Sequence, residues 1–197
     1  ITEDLGADRA LQLCSDFASA YEGFVVPESI RNKSLPKVAY RVKVEREGDI
    51  GTVRVWRPEV MNALSAATIA EIDAAMTELG SDDSIKGIVF TSDNGSLAGA
   101  DIMELAALQT PEQCRAICMK THPIMQRIAA MSKPVVAALR GPVLGGGAEF
   151  AMACHARVVG PDLVLGQPEV NLGIIPGYGG TQRLPRIVGF DKAFAML

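Results

Sequence analysis

Residues 141–154 read GPVLGGGAEFAMAC. No regular element readily holds three consecutive glycines in its interior, since glycine loses more backbone freedom on ordering than any other residue. The run therefore marks a sharp turn. The next segment, Ala148 to Cys154, is small and apolar and reads as a buried helix. Glu149 falls at the start of that helix, among neighbours with almost no other polarity. Carboxylates are seldom buried unless they have partners or a chemical task. The plain alternative is a surface carboxylate at the end of an element.

Glycine runs invite a phosphate loop, and spacing argues against one. A P-loop begun at Gly141 needs lysine where Gly147 stands, and a dinucleotide fingerprint begun at Gly145 needs glycine where Phe150 stands. The net charge of −4 argues against a nucleic-acid surface, which needs clustered Lys and Arg. No apolar run reaches membrane-spanning length, and the start carries no signal-peptide pattern. The four cysteines, at 14, 114, 118 and 154, are dispersed without a CxxC pair, so a reducing, cytoplasmic setting is expected. His122 and His155 lack ligand spacing, so both read as structural or surface residues and no metal site is expected.

At 197 residues the chain suffices for one domain with a substantial core and a small appendage. Ala10, Cys14, Phe17 and Tyr21 share one helix face. Pro27, Pro36 and the linker-like Asn32-Lys33-Ser34 then break the pattern. From Val42 a strand-like run passes through a hairpin turn at Glu47-Gly48 into IGTVRVW. Ser65 is placed to cap a helix with Ile69, Ile72, Met76 and Leu79 on one face. KGIVFTS is strand-like and ends at the turn Asp93-Asn94-Gly95. Thr110-Pro111 opens a helix that Pro123 should kink or interrupt. PVVAAL, ARVVG and VLGQP read as short strands. Strands and helices mix over 37–197, so an α/β class is expected; no internal repeat is visible.

A second stretch, SLAGADIMEL at 96–105, has the character of the first. Ala98, Gly99 and Ala100 follow a strand and turn, and Asp101 opens an apparent helix. Unpaired N–H groups at such turns carry partial positive charge and can stabilise a developing oxyanion. Two such turns face to face would give one oxygen two donors. Taken singly, either is better explained as a tight strand-to-helix connection. Glu169, between Gln167-Pro168 and VNLGII, repeats the setting of Glu149. Desolvation would raise both carboxyl pKa values toward neutrality, which suits acid–base work.

In order, RPEVMNALS, KGIVFTS, AGADIMEL, KPVVAALRGPVLGGGAEFAMAC and LGQPEVNLGIIPGYGGTQRLPRIVG resemble the crotonase (enoyl-CoA hydratase/isomerase) superfamily. The resemblance runs from about residue 42 onward. It implies a spiral of ββα units. It implies that the Ala100 and Gly146 N–H groups bind a thioester oxygen, and that Ala98, Gly99, Asp101 and Ile102 lie against the substrate. Gly177, in IPGYGG, would hold a water or orient a carboxylate. Glu149 would take a proton from water as it attacks carbon three of an enoyl-CoA, and Glu169 would protonate carbon two. That is hydration of trans-2-enoyl-CoA to 3-hydroxyacyl-CoA, a step of fatty-acid β-oxidation. The implied partner is acyl-CoA, with no metal or redox cofactor. Isomerase-type relatives commonly keep only the later acidic position, so both glutamates together favour hydration. An isomerase and a non-catalytic acyl-CoA-binding piece are the alternatives. His155 stands where relatives commonly carry Asp.

Complete relatives continue beyond GGTQRLPR into helices that cover the site and build trimers. The resemblance thus implies an incomplete domain here, and a trimer-based homo-oligomer for the full protein. Residues 1–36 fall outside the pattern. Their amphipathic helix followed by FVVPESI loosely resembles the tail of a 3-hydroxyacyl-CoA dehydrogenase. The parent would then be a fused enzyme, with NAD needed only by an upstream dehydrogenase part.

Overall fold

The computed structural model describes residues 2–33 and 41–197. The chain divides into two compact units at residue 39, and each is taken by itself. The expected boundary at 36/37 and the linker residue Ser34 lie outside the described residues. The first unit holds α1 (Thr2–Ala20) and α2 (Glu28–Arg31). Phe17 stacks on Tyr21 with ring centroids 4.2 Å apart and meets Phe24 edge-on at 5.0 Å. The spacing of four along one face brings the first two rings together.

The second unit opens with β1 (Val42–Glu47) and β2 (Ile50–Val55), the expected antiparallel hairpin, turned at Gly48 with φ +60°. Next come α3 (Ala66–Ser81), β3 (Gly87–Ser92), α4 (Ile102–Ala106), α5 (Pro111–Ala129), β4 (Val135–Leu139) and β5 (Pro142–Leu144). The chain continues through α6 (Gly146–Ala153), β6 (Ala156–Val159), β7 (Val164–Gly166), α7 (Gly180–Val188) and α8 (Phe190–Ala195). The main sheet has the order β1-β2-β3-β4-β6 and is parallel beyond the hairpin. A second sheet pairs β5 with β7 in parallel. Isolated parallel bridges join Leu97 to Val143 and Leu64 to Ala100.

A pattern recurs along this unit. Strand β3 leads to the bridged residues Leu97 and Ala100, then to α4 and α5. Strand β4 leads to β5 and then α6. Strand β6 leads to β7 and then α7. From β2 onward each main-sheet strand is followed by a short second-layer piece, the Leu64 bridge in the case of β2, and then a helix, which is the spiral of ββα units expected of the crotonase fold.

On α3, Ile69, Ile72, Met76 and Leu79 are buried as expected, and the Ser65 side chain caps the helix by accepting from the Thr68 N–H. Phe90 of β3 stacks on Phe150 of α6 at 5.8 Å. Every residue of α6 is buried, as an apolar helix without a polar face requires. Helix α5 runs through Pro123 rather than ending there. The missing hydrogen bond and ring clash cost about 3 kcal/mol. Ile124, Met125 and Ile128 are buried just beyond it, and each such side chain contributes roughly 1.5–3 kcal/mol. Packing therefore outweighs the local penalty. Among the described residues no helix is long and apolar enough to cross a membrane.

Gly147 shows how closely α6 is seated. A Cβ there would lie 2.6 Å from both the Cβ and the carbonyl oxygen of Leu97. Gly147→Ala is expected to lower unfolding stability by about 1–3 kcal/mol, read by chemical denaturation. An unchanged midpoint would show that Leu97 yields freely.

Candidate active site

The bridge between Leu64 and Ala100 sets the first candidate donor. The Leu64 N–H donates to the Gly99 carbonyl at 2.7 Å, and the Asp101 N–H donates to the Leu64 carbonyl at 3.2 Å. Ala100 lies between these two groups, so its own N–H faces the opposite side. On that side stands the start of α6. A Cβ on Gly146 would lie 3.3 Å from the Ala100 nitrogen, and one on Gly99 would lie 3.2 Å from the Gly146 nitrogen. Gly146 opens α6, so its N–H has no partner within the helix. Among the described residues no backbone acceptor meets either group. The two nitrogens are near enough to serve a single oxygen atom.

Two features hold this approach. Gly99 has φ +93°, and any Cβ there would stand 2.8 Å from the Leu144 carbonyl oxygen. Asn62, fully buried at φ +58°, ties the loop before α3 to the turn after β3. Its amide donates to Asp93 Oδ1 at 2.6 Å, and its oxygen accepts from the Arg57 N–H at 2.9 Å. Asparagine visits left-handed backbone more readily than most residues.

Glu149 stands in the first turn of α6 and is 1% exposed. Its Oε1 accepts from the Tyr178 N–H at 2.8 Å and from the Gly180 N–H at 2.6 Å. Burial pushes its pKa up to about 7. The two N–H bonds pull the other way, the Glu169 charge adds to the rise, and Arg183 opposes it. Glu169 lies in a 3-10 turn, Pro168–Leu172, and is 8% exposed. Its Oε1 sits 3.2 Å from where a Cβ of Gly145 would be. Its Oε2 is buried with no hydrogen-bond partner in the protein. Burial raises its pKa as well. A buried carboxyl oxygen without a donor favours the protonated acid. Both carboxyls thus flank one glycine turn, beside the two free N–H groups.

The other expected residues fall into place unevenly. Gly177 takes part through its carbonyl, which accepts from His122 Nε2 at 2.7 Å. The N–H groups that orient Glu149 come from Tyr178 and Gly180 rather than from Gly177. Asp101 caps α4 by accepting from the Met103 N–H and pairs with Arg57 at 3.1 Å, so its carboxylate is engaged within the protein. Ala98 donates its N–H to the Met61 carbonyl at 3.1 Å. A cavity of about 250 Å³ is lined by Leu64, Ile69, Ala100, Ile117, Ile124 and Tyr178, with Asp101 also in its wall. Ala98, Gly99 and Ile102 are not in that lining, and Ile102 is exposed. The Tyr178 ring lies 3.1 Å from the position of a Gly146 Cβ, so the cavity opens beside the paired donors. His155 accepts from the Val135 N–H on Nδ1 at 2.9 Å and closes the edge between β4 and β6. Tyr178 and Gly180 carry no expected role from sequence, and His122, expected only as a structural or surface residue, meets the site through the Gly177 carbonyl. The glycines of IPGYGG mark the turn, without marking which N–H points inward.

An α/β spiral with two paired strand-to-helix turns, and buried carboxyls at one of them, is an arrangement that can pair oxyanion stabilisation with proton transfer. The enoyl-CoA hydratase/isomerase family model matches residues 45–197, and the chain belongs to that family. It is 40% identical over 154 residues to a short-chain-enoyl-CoA hydratase of Clostridium acetobutylicum, covering 77% of this chain and 59% of that protein. It is 46% identical over 143 residues to the fatty acid oxidation complex subunit alpha of Shewanella frigidimarina, covering 71% of this chain and 20% of that one. A crystal structure of enoyl-CoA hydratase from Thermoplasma volcanium superposes with TM-score 0.77 at 35% identity, over 82% of this chain and 65% of that chain. The chain thus spans only part of the length of the relatives it matches.

Proposed function

We propose that this domain adds water across the double bond of a trans-2-enoyl-CoA, giving a 3-hydroxyacyl-CoA in fatty-acid β-oxidation. The observation that carries this reading is the pair of buried carboxyls, Glu149 and Glu169, at one glycine turn beside two free N–H donors. The hydratase and fatty-acid-oxidation relatives support it.

In this reading the Ala100 and Gly146 N–H groups donate to the thioester oxygen, which makes carbon three electrophilic. One such donor is worth about 3–4 kcal/mol of barrier. Glu149, as carboxylate, takes a proton from water while the water oxygen bonds to carbon three. The electron pair of the double bond moves to the thioester oxygen as an enolate. Glu169, as the acid, then delivers its proton to carbon two. Glu149 ends protonated and Glu169 ionised, and proton exchange with solvent restores both. Their settings suit these roles: two N–H donors hold Glu149 Oε1, and none reaches Glu169 Oε2. The Gly177 N–H, which meets no backbone acceptor among the described residues, is free to hold the water. The apolar cavity beside Ala100 takes the acyl chain. Hydration of this kind needs no cofactor.

The wider reading concerns the whole protein. Residues 1–36 belong to the tail of an upstream 3-hydroxyacyl-CoA dehydrogenase, the part that would use NAD; the family match leaves those residues out. The protein works in the cytoplasm as a trimer-based homo-oligomer. Four free cysteines and the exposed Ile175, Phe190 and Phe194 support these placements.

The test is crotonyl-CoA hydration by the natural gene product, followed as loss of conjugated absorbance. Glu169→Gln is expected to lose about 10²-fold or more of the rate. The parent rate should rise with pH through about 7, as Glu149 ionises to the active carboxylate. A rate independent of pH across that range would remove Glu149 as the base. A Glu169 variant that loses a double-bond shift, where Glu149→Gln changes nothing, would favour the isomerase.

A further inference from the structure

We propose that His122 is a positioning residue for Glu149 and acts on it through a single peptide group. His122 stands on α5, and its Nε2 lies 2.7 Å from the Gly177 carbonyl oxygen. A carbonyl oxygen only accepts, so Nε2 carries the proton and donates. That carbonyl belongs to the peptide unit whose N–H is the Tyr178 N–H. The same N–H donates to Glu149 Oε1 at 2.8 Å. One planar peptide therefore has the imidazole at one end and the carboxylate at the other.

This arrangement has two physical consequences. Turning the peptide about its flanking bonds would break both hydrogen bonds together, so His122 fixes the direction in which the Tyr178 N–H points. Donation to the carbonyl also polarises the unit and strengthens its N–H as a donor. The turn needs such an anchor, because glycines stand at 177, 179 and 180 and Gly179 has φ +104°. The second donor to Glu149 is backed in the same way. The Gly180 N–H shares its peptide with the Gly179 carbonyl, which accepts from the Gln182 and Arg183 N–H groups at 3.0 and 2.9 Å. There the support is the start of α7. At Gly177 it is one side chain from a different helix. Cys118, one turn earlier on α5, adds contact: a Cβ on Gly177 would lie 2.8 Å from its Sγ. The link does not require the imidazole to titrate, since Nε2–H donates from the neutral ring and from the protonated one.

This inference rests on the reading of Glu149 as the base. It is tested in the natural gene product with His122→Asn, whose amide falls short of the carbonyl, and His122→Gln, whose amide reaches about as far as imidazole Nε2. His122→Asn is expected to lower kcat for crotonyl-CoA hydration about tenfold, the loss of one oriented hydrogen bond, with KM changed less than about twofold. The paired donors and the cavity are untouched, so binding should persist. The acid limb of the pH–rate profile should move upward, because a carboxylate that has lost a good donor holds its proton more tightly. Glu169, Arg183, Cys118 and Tyr178 also face Glu149 and are the same in both variants. His122→Gln should keep most of the rate and the parent profile. A readout apart from turnover is the carbon-13 titration of the Glu149 carboxyl by NMR, whose midpoint should rise in the Asn variant only. An Asn variant with parent kcat and an unmoved Glu149 midpoint overturns the proposal, as does a Gln variant as impaired as Asn. If the parent does not hydrate crotonyl-CoA, the hydratase reading fails, while the NMR titration still decides this one.

Discussion

Glu149→Gln is expected to lose about 10²–10⁴-fold of the hydration rate, the range that a positioned general base supplies, while acyl-CoA still binds. The glutamine oxygen can keep the N–H bonds from Tyr178 and Gly180. The paired donors at Ala100 and Gly146 are unaltered. What disappears is the capacity to take a proton from water. Crotonyl-CoA hydration and equilibrium binding of a saturated acyl-CoA, measured side by side, separate the two effects. A variant that hydrates at near the parent rate would take Glu149 out of the base role.

The same substitution should change stability in the opposite direction. Glu149 titrates at about 7 in the folded chain against an ordinary 4.5. Between those values the folded state holds a proton that the unfolded state releases, so stability falls as pH rises across that window. Above it the penalty is complete and amounts to about 3 kcal/mol, from roughly 1.4 kcal/mol per pH unit. Below the ordinary value it is absent. Glutamine carries no charge to bury. The variant should therefore be the more stable protein at about pH 8, by up to about 3 kcal/mol, and the difference should vanish toward about pH 4. A base poised near neutrality destabilises the fold by the same desolvation that makes it a useful base. Denaturant unfolding of both proteins at the two pH values checks the sign.

Several elements are legible in the sequence because they are local patterns. The hairpin turned at Gly48, α3 with its Ser65 cap, and α6 with its apolar surface each announce themselves within a few residues. The ββα repetition does not. Its second-layer strands are β5 and β7, of 3 residues each, and isolated bridges at Leu64 and Leu97. Such pieces are too short for alternation to show. The repeat lies in the direction of the backbone, and no matching residues mark it. Pro123 fails to interrupt α5 for the converse reason: a sound local rule is overruled by burial on either side of it. Glu149 and Glu169 stand out because carboxylates are conspicuous among glycines and apolar residues. The groups that orient Glu149 are backbone N–H groups, and the side chain at 178 says nothing of where its N–H points. His122 is hidden by distance, its partner carbonyl lying 55 positions along the chain. The cavity wall is hidden by its chemistry, since Ile69, Ile117 and Ile124 are the residue types that also fill the core.

Replacing the Ala100 amide by an ester, with lactate incorporated in place of alanine, is expected to lower kcat about 10²–10³-fold, the cost of one oxyanion donor. The substitution removes the N–H and keeps the methyl group. KM should change much less, because the donor's bond strengthens as charge develops on the thioester oxygen rather than when substrate first binds. The fold itself does not use this N–H. The Leu64–Ala100 bridge is made by the Gly99 carbonyl and the Asp101 N–H. An ester does make the Gly99 carbonyl a poorer acceptor for the Leu64 N–H, and about 1 kcal/mol of stability should go with it. A control isolates that effect. Lactate in place of Ala98 removes an N–H that donates to the Met61 carbonyl at 3.1 Å, a bond internal to the protein. The ester at 98 should lower stability by more, since it also makes the Leu97 carbonyl a poorer acceptor for the Leu144 N–H, and leave hydration near the parent rate. The ester at 100 should lower hydration far more than stability. If the two esters hydrate crotonyl-CoA alike, the Ala100 N–H does not face the reacting oxygen, and the pairing of the two turns serves the fold alone.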